Sequence, residues 1–349
     1  MRPANKKNRR DALWEEALHT AVEKRTLFVG AMEFPAVPAL SSHFVRKIVE
    51  ALGAFGHGFN SGEAEHLRTL FARALAKGYE TSAESRVLFK FKTPPGKGVE
   101  YEVQIRQPSM EEYYETWAAV KTPPLFGKLP DAMVTNTAVK LGAPSEVRVL
   151  DVGAGTGRNA IALARLGHPV TAVEPVAKFA EQIREAASGE SLPLTVVEND
   201  LLSPDVCLDA GSYGLVILCE VLTHFREVAE IREAFSKFSE ALSPGGLVVA
   251  NAFIADRGYR PDDLAKQVGE MAWSCLYTAS ELDFITEELP FEKIGDEPVC
   301  EYEKANLPAS GWPPTGWFVG WSTGRNVFTT APGVLAPIEL RWLVYRRRA

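Results

Sequence analysis

One short segment constrains this chain more than any other: Asp151-Val-Gly153-Ala-Gly155-Thr-Gly157. It follows Val147-Arg148-Val149-Leu150, an apolar and β-branched run that reads as a buried parallel strand. It precedes Arg158-Asn-Ala-Ile-Ala-Leu-Ala-Arg-Leu166, a helical pattern closed by Gly167. A glycine-rich strand-to-helix turn is where an open α/β sheet binds its ligand. Glycine is required where a ligand approaches the backbone too closely for a Cβ, and the helix start offers free N–H groups.

The spacing separates ligand classes. A dinucleotide site has the form G-x-G-x-x-G; here the third position after Gly155 is Arg158, and the third glycine comes early, at Gly157. Asp151, two residues before the first glycine, would repel a pyrophosphate but suits an ammonium group. About 20 residues on, where an acid commonly holds a ribose, Val170-Thr-Ala-Val-Glu174 reads as a second strand ending in an acid. An amino-acid ammonium plus a ribose describes S-adenosylmethionine.

On these residues the chain resembles the class I S-adenosylmethionine-dependent methyltransferases, whose first motif is (D/E)-x-G-x-G-x-G. The resemblance implies an α/β fold: a doubly wound, seven-stranded, Rossmann-like sheet with an antiparallel last strand. The chain supplies matching patterns in order. Strands are predicted at 169–174, 194–197, 213–219 and 247–254, and helices at 176–187 and 224–241, the latter ended by Ser243-Pro244-Gly245-Gly246. A helix at 278–289 and strands at 291–299 and 338–345 complete the set. The domain is bounded at 141–349. Residues 1–140 fall outside the sheet and read as an α+β addition, a cap or dimerisation region. It has helices at 10–23, 42–52, 63–77, 111–120 and 131–141, and a hairpin from 86–92 and 99–105.

Carried over residue by residue, the resemblance implies that Asp151, Gly153, Gly155 and Gly157 hold the methionine part of the cofactor. Glu174 would hold the ribose, and Asp200 with Leu201 the adenine. Glu220 and His224 follow the fourth strand, where the family's reacting methyl points, and are the candidate catalytic groups. His224 is read as general base, substrate contact or helix-start packing, and Glu220 as its orienting partner or as a contact to the donor's amino group. Glu220, Asn251 and Asp256 do not match the spacing of metal-dependent relatives, so no metal is expected.

Two stretches are left over, 257–277 and 301–337. Their Trp273, Tyr277, Trp312, Trp317 and Trp321 are read as a wall over the substrate pocket, or else as a satellite core or homodimer contact.

Composition bounds the rest. At 349 residues the chain exceeds what one core usually serves. A net charge of −7 argues against a general nucleic-acid binder, although Lys6-Lys7-Asn8-Arg9-Arg10 and Arg346-Arg347-Arg348 are basic. Cys207, Cys219, Cys275 and Cys300 have neither zinc nor disulfide spacing. No apolar signal region follows the basic start and no run reaches ~18 apolar residues, so a cytoplasmic protein is expected. The expected activity is methylation of a small molecule at O, N or C. A protein or RNA methyltransferase and a non-catalytic cofactor-binding scaffold are the alternatives.

Overall fold

The computed structural model describes residues 6–108 and 126–349, which fall into two compact units, 1–109 and 110–349. The helix expected at 111–120 lies outside the described residues.

In the first unit the order is α1 (Lys6–Glu23), β1 (Val29–Pro35), α2 (Ser41–Ala54), α3 (Ser61–Thr81), β2 (Arg86–Lys92) and β3 (Glu100–Arg106). The hairpin β2–β3 forms as expected, and β1 pairs antiparallel with β2 to make a three-stranded sheet, β1-β2-β3. The sequence reading missed β1. Its glycine and terminal proline weaken the strand signal, yet Gly30 is needed: a Cβ there would lie 2.9 Å from the Phe91 ring on the neighbouring strand. The core of this unit gathers Phe44, Ile48 and Leu52 of α2 with Leu67, Phe71 and Leu75 of α3, at helical spacing. An Asn60–Glu63 capping box starts α3.

Among the described residues the second unit runs α4 (Ala132–Leu141), β4 (Val149–Val152), α5 (Arg158–Arg165), β5 (Val170–Val173), α6 (Ala177–Gly189), β6 (Leu194–Val197) and β7 (Tyr213–Leu218). After these come α7 (Val228–Ala241), β8 (Leu242–Ala255), α8 (Asp263–Met271), β9 (Leu276–Tyr277), α9 (Ala279–Ile285) and β10 (Phe291–Pro298). α10 (Val299–Asn306), α11 (Phe318–Ser322) and β11 (Ile338–Arg347) end the chain. The sheet order is β10-β11-β8-β7-β4-β5-β6, with β9 added beside β8. β11 runs antiparallel to both neighbours, while β4 to β8 are parallel. Every residue of β4 and β5 is buried, as parallel strands covered on both faces must be. On α5 the small residues Ala160 and Ala164 face the sheet beside Leu163, which lets the helix sit close.

Three expectations need correction. The helix expected from 224 does not start there: residues Leu222–His224 form one 3-10 turn, and α7 begins at Val228 behind a Glu227–Glu230 capping box. The Tyr277 hydroxyl donates into the carbonyls of Leu222 (2.8 Å) and Phe225, occupying the acceptors that a continuous helix would use. The Pro244-Gly245-Gly246 segment lies within β8 rather than before it. Gly245 has φ +81°, and the register against β7 shifts between Tyr213 and Leu215, so the segment makes a bulge. Finally, α4 packs Met133, Val134 and Ala138 into the same core as β4, β7 and β8, so the sheet-bearing unit starts before residue 141.

Candidate active site

The carboxyl ends of β4, β5 and β7 open onto a cavity of about 480 Å³, within the ~300–1,000 Å³ range of small-molecule sites. Of the expected cofactor residues, Asp151, Gly153, Gly155, Glu174, Asp200 and Leu201 line it. Gly153 (φ +64°) and Gly155 (φ +56°) adopt the left-handed backbone that glycine favours. A Cβ on Gly153 would lie 2.5 Å from the Val221 side chain. Gly157 does not line the cavity. It caps α5 with φ +82°, and a Cβ there would meet Ile161 and Ile183 within 3 Å, so its glycine serves helix packing.

The acids are held in distinct ways. Glu174 accepts hydrogen bonds from the Gly155 amide (2.7 Å) and the Val176 amide (2.8 Å), which fixes the glycine loop against the end of β5. Burial raises its pKa, and those two amides pull it back. Asp151 is 2% exposed and its Oδ2 has no hydrogen-bond partner. Burial first, and then the neighbouring Asp131, push its carboxyl up to about 7. An orphaned buried carboxylate oxygen at a cavity wall invites a cationic donor. Asp200 is exposed and accepts from the Leu202 amide at 2.7 Å, a local turn that leaves its second oxygen unassigned.

At the end of β7, Glu220 has φ +63°, a costly conformation for a residue with a Cβ. It is fixed from two sides: its amide donates to Asn251 Oδ1 (2.7 Å), and its carboxylate pairs with Arg158 (3.2 Å). Arg158 also binds Asp131 at 2.6 Å, and Asp131 accepts from Asn159 at 2.9 Å. Glu303 of α10 belongs to the same neighbourhood. It accepts from the Ala132 and Met133 amides at the start of α4 and from the Trp342 indole. Burial is the main cause that raises both Glu220 and Glu303 to about 7; Arg158 partly offsets it. Asp131 and Glu303 were not sequence candidates; Arg158, in place of the small residue usual at that point of the motif, was open to reaching a carboxylate or only solvent, and it reaches two carboxylates.

His224 lines the cavity from its 3-10 turn, with its ring 6.1 Å from that of Trp273. Trp273 has φ +53° and also lines it, as do Trp317 and Trp321, whose rings meet edge-to-face at 5.6 Å. Tyr277 and Trp312 do not. Tyr277 is the buried strut beneath the His224 turn, and Trp312 packs on Phe318. Phe126, Phe179 and Phe225 join the lining, a contribution the sequence reading missed. Asn251 spends its side-chain oxygen on Glu220, and the exposed Asp256 lies outside the lining. Among the described residues no group of three or more His, Cys, Asp and Glu could hold a metal ion, and no helix is long and apolar enough to cross a membrane.

Residues 149–246 match the family model described as a methyltransferase domain. This segment is a class I S-adenosylmethionine-dependent methyltransferase domain. The chain is 27% identical over 162 residues to a methyltransferase-family protein of Geobacillus sp. (strain WCH70), covering 45% of this chain and 64% of that one. It is 37% identical over 107 residues to the ubiquinone biosynthesis O-methyltransferase of Methylocella silvestris, covering 30% and 39%. Both matches span less than two thirds of the relative's length. The geranyl diphosphate C-methyltransferase of Streptomyces coelicolor A3(2) superposes with a TM-score of 0.48 at 15% identity, over 62% of this chain and 75% of that one. The cofactor of the methyltransferase domain is S-adenosylmethionine. The orphaned Asp151 oxygen, the side-chain-free Gly153 and Gly155, and the doubly anchored Glu174 fit its ammonium, its backbone approach and its ribose.

The acids of the domain carry a stability prediction. A carboxyl whose folded pKa lies above its unfolded value holds its proton more tightly in the native state. Stability is then highest at low pH and falls as pH rises between the two values. For Asp151, Glu220 and Glu303 that window runs from about 4 to about 7. One acid moved from 4.5 to about 7 corresponds to ~3 kcal/mol. The ligand-free protein is therefore expected to lose thermal stability between pH 5 and pH 8. Melting curves that rise steadily over this range would refute the assignment.

Proposed function

We propose that this protein transfers a methyl group from S-adenosylmethionine to O, N or C of a small molecule. The reading rests above all on Asp151. Its unpartnered, buried carboxylate oxygen shares one cavity with the glycine loop, Glu174, His224 and three tryptophans. When bound, the cofactor supplies a methyl group already activated on a sulfonium. The protein's residues then have to hold the acceptor in line, exclude water and remove a proton where the acceptor carries one. Trp273, Trp317 and Trp321 supply apolar walls. The position of His224 beside Trp273 in the lining supports it as the group that takes a proton from the methyl acceptor, and the raised proton affinity of Glu220, at about 7, supports it as a second such group. An aromatic-walled cavity of this size supports a small acceptor over a polynucleotide or protein one.

Calorimetric titration with S-adenosylmethionine, followed by methyl-transfer assays on fractionated small-molecule extracts, tests the reading; failure of the wild type to bind the cofactor refutes it. With an acceptor in hand, His224→Ala is expected to lower turnover by about 10²–10⁴-fold while cofactor affinity stays within a few-fold. The acidic limb of the pH–rate profile should go with it. Near-normal turnover in the variant assigns deprotonation to Glu220 or to water.

A further inference from the structure

The charge and shape of the cavity restrict what can be methylated in it. Five carboxylate side chains line it: Asp151, Glu174 and Asp200 on the side read as the cofactor's, and Glu220 and Glu230, which are left to face the acceptor. The arginine in the lining, Arg158, is already committed to Asp131 and Glu220 and is 9% exposed. A phosphate or carboxylate entering here would meet acids, and the guanidinium it needs is already held by Asp131 behind the wall and by Glu220 in it. Meanwhile Phe225, Trp273, Trp317 and Trp321 present aromatic surface. Ring faces attract cations and flat apolar groups and repel anions. The Glu220 position is held by the Asn251 side chain behind it and by the ion pair with Arg158, so its carboxylate is a fixed feature of the wall rather than a mobile rim charge.

We propose that the methyl acceptor is an amine carried on a flat, apolar body. This inference rests on the methyltransferase reading and names the substrate class of the same cavity. The amine arrives protonated, drawn by the carboxylates and seated among the tryptophans. It gives one proton to Glu220 or His224. Its freed lone pair then forms the N–C bond to the methyl group. The electrons of the C–S bond stay on sulfur as a thioether, and the positive charge passes to the methylated nitrogen. The product ammonium is again a cation, and a bulkier one.

Three indoles that differ in charge test this: tryptamine, tryptophol and indole-3-propionate, titrated calorimetrically into the full chain with and without saturating S-adenosylhomocysteine. Tryptamine is expected to bind tightest and indole-3-propionate weakest, with at least a 10-fold span that narrows in high salt. Glu220→Gln should reduce that span several-fold. Because this variant also disturbs the Arg158 pair, Glu230→Gln, which keeps its capping role, is measured beside it and should reduce the span as well. Equal affinities, tightest binding of the anion or of the neutral alcohol, or no binding of any indole overturns the amine proposal. Failure of S-adenosylhomocysteine to bind sinks the methyltransferase reading separately, since the charge order is also measured without it.

Discussion

Replacing Arg158 with methionine is expected to cost the second unit about 3–5 kcal/mol, the usual result of stripping one partner from a buried ion pair. The side chain is 9% exposed and its partners Asp131 and Glu220 are 4% and 19% exposed, so both carboxylates would be left without a cation in a poorly solvated place. For a domain of this size each kcal/mol moves the melting temperature by ~2–4 °C, so a drop of roughly 10 °C should appear in circular dichroism melts. The loss should shrink at pH 5, where Glu220, raised to about 7, carries a proton and needs no partner. Lysine should rescue poorly, because one ammonium cannot reproduce a planar fork that spans two carboxylates. Arg165→Met is the control. It lies on the same helix, but its pair with Glu190 is exposed and its removal should leave the melt unchanged. If Arg158→Met melts with the control, the pair is not a structural element of the site.

Glu174→Ala is expected to weaken S-adenosylmethionine binding by about 100-fold or more. Two hydrogen bonds from the ribose to a carboxylate, at ~1.5–3 kcal/mol each, account for a loss of ~3 kcal/mol or more. The structure adds a second cost. The same carboxylate accepts from the Gly155 and Val176 amides, so its removal also frees the loop that approaches the cofactor. Glu174→Gln, which keeps one acceptor oxygen, should fall between the two. Since burial raises the Glu174 pKa, wild-type affinity should also decline as the pH falls into the acidic range where this carboxyl takes up its proton. Unchanged calorimetric affinity in the alanine variant would remove Glu174 from the cofactor site.

Arg158 and Glu174 show where sequence reasoning reaches and where it stops. Glu174 was legible because the features that define it are local: a β-branched strand, an acid at its end, and a glycine turn one helix earlier. The same holds for the parallel strands, whose buried apolar runs announce themselves, and for β11, whose alternation fitted an antiparallel last strand. Arg158 was visible as an odd residue in a glycine motif, but nothing near it in sequence says what it binds. Asp131 lies 27 positions away and Glu220 62. Glu303, which caps α4 from 171 residues away, carried no signal at all. Burial is a property of the assembled core, so the raised proton affinities of Asp151, Glu220 and Glu303 could not precede it.

The aromatic insertions make the same division within one set of residues. Composition picked out five aromatics of one kind in two long loops. Tertiary structure sorted them: Trp273, Trp317 and Trp321 face the cavity, Tyr277 props the His224 turn from beneath, and Trp312 packs on Phe318. Local sequence determined the glycine cradle, the order of strands and helices and the cofactor acids, because each depends on backbone freedom or on side-chain periodicity over a few residues. Only the fold decided which carboxylates share one arginine, which rings form the wall and where His224 stands, because those depend on contacts between segments that meet only when the sheet closes.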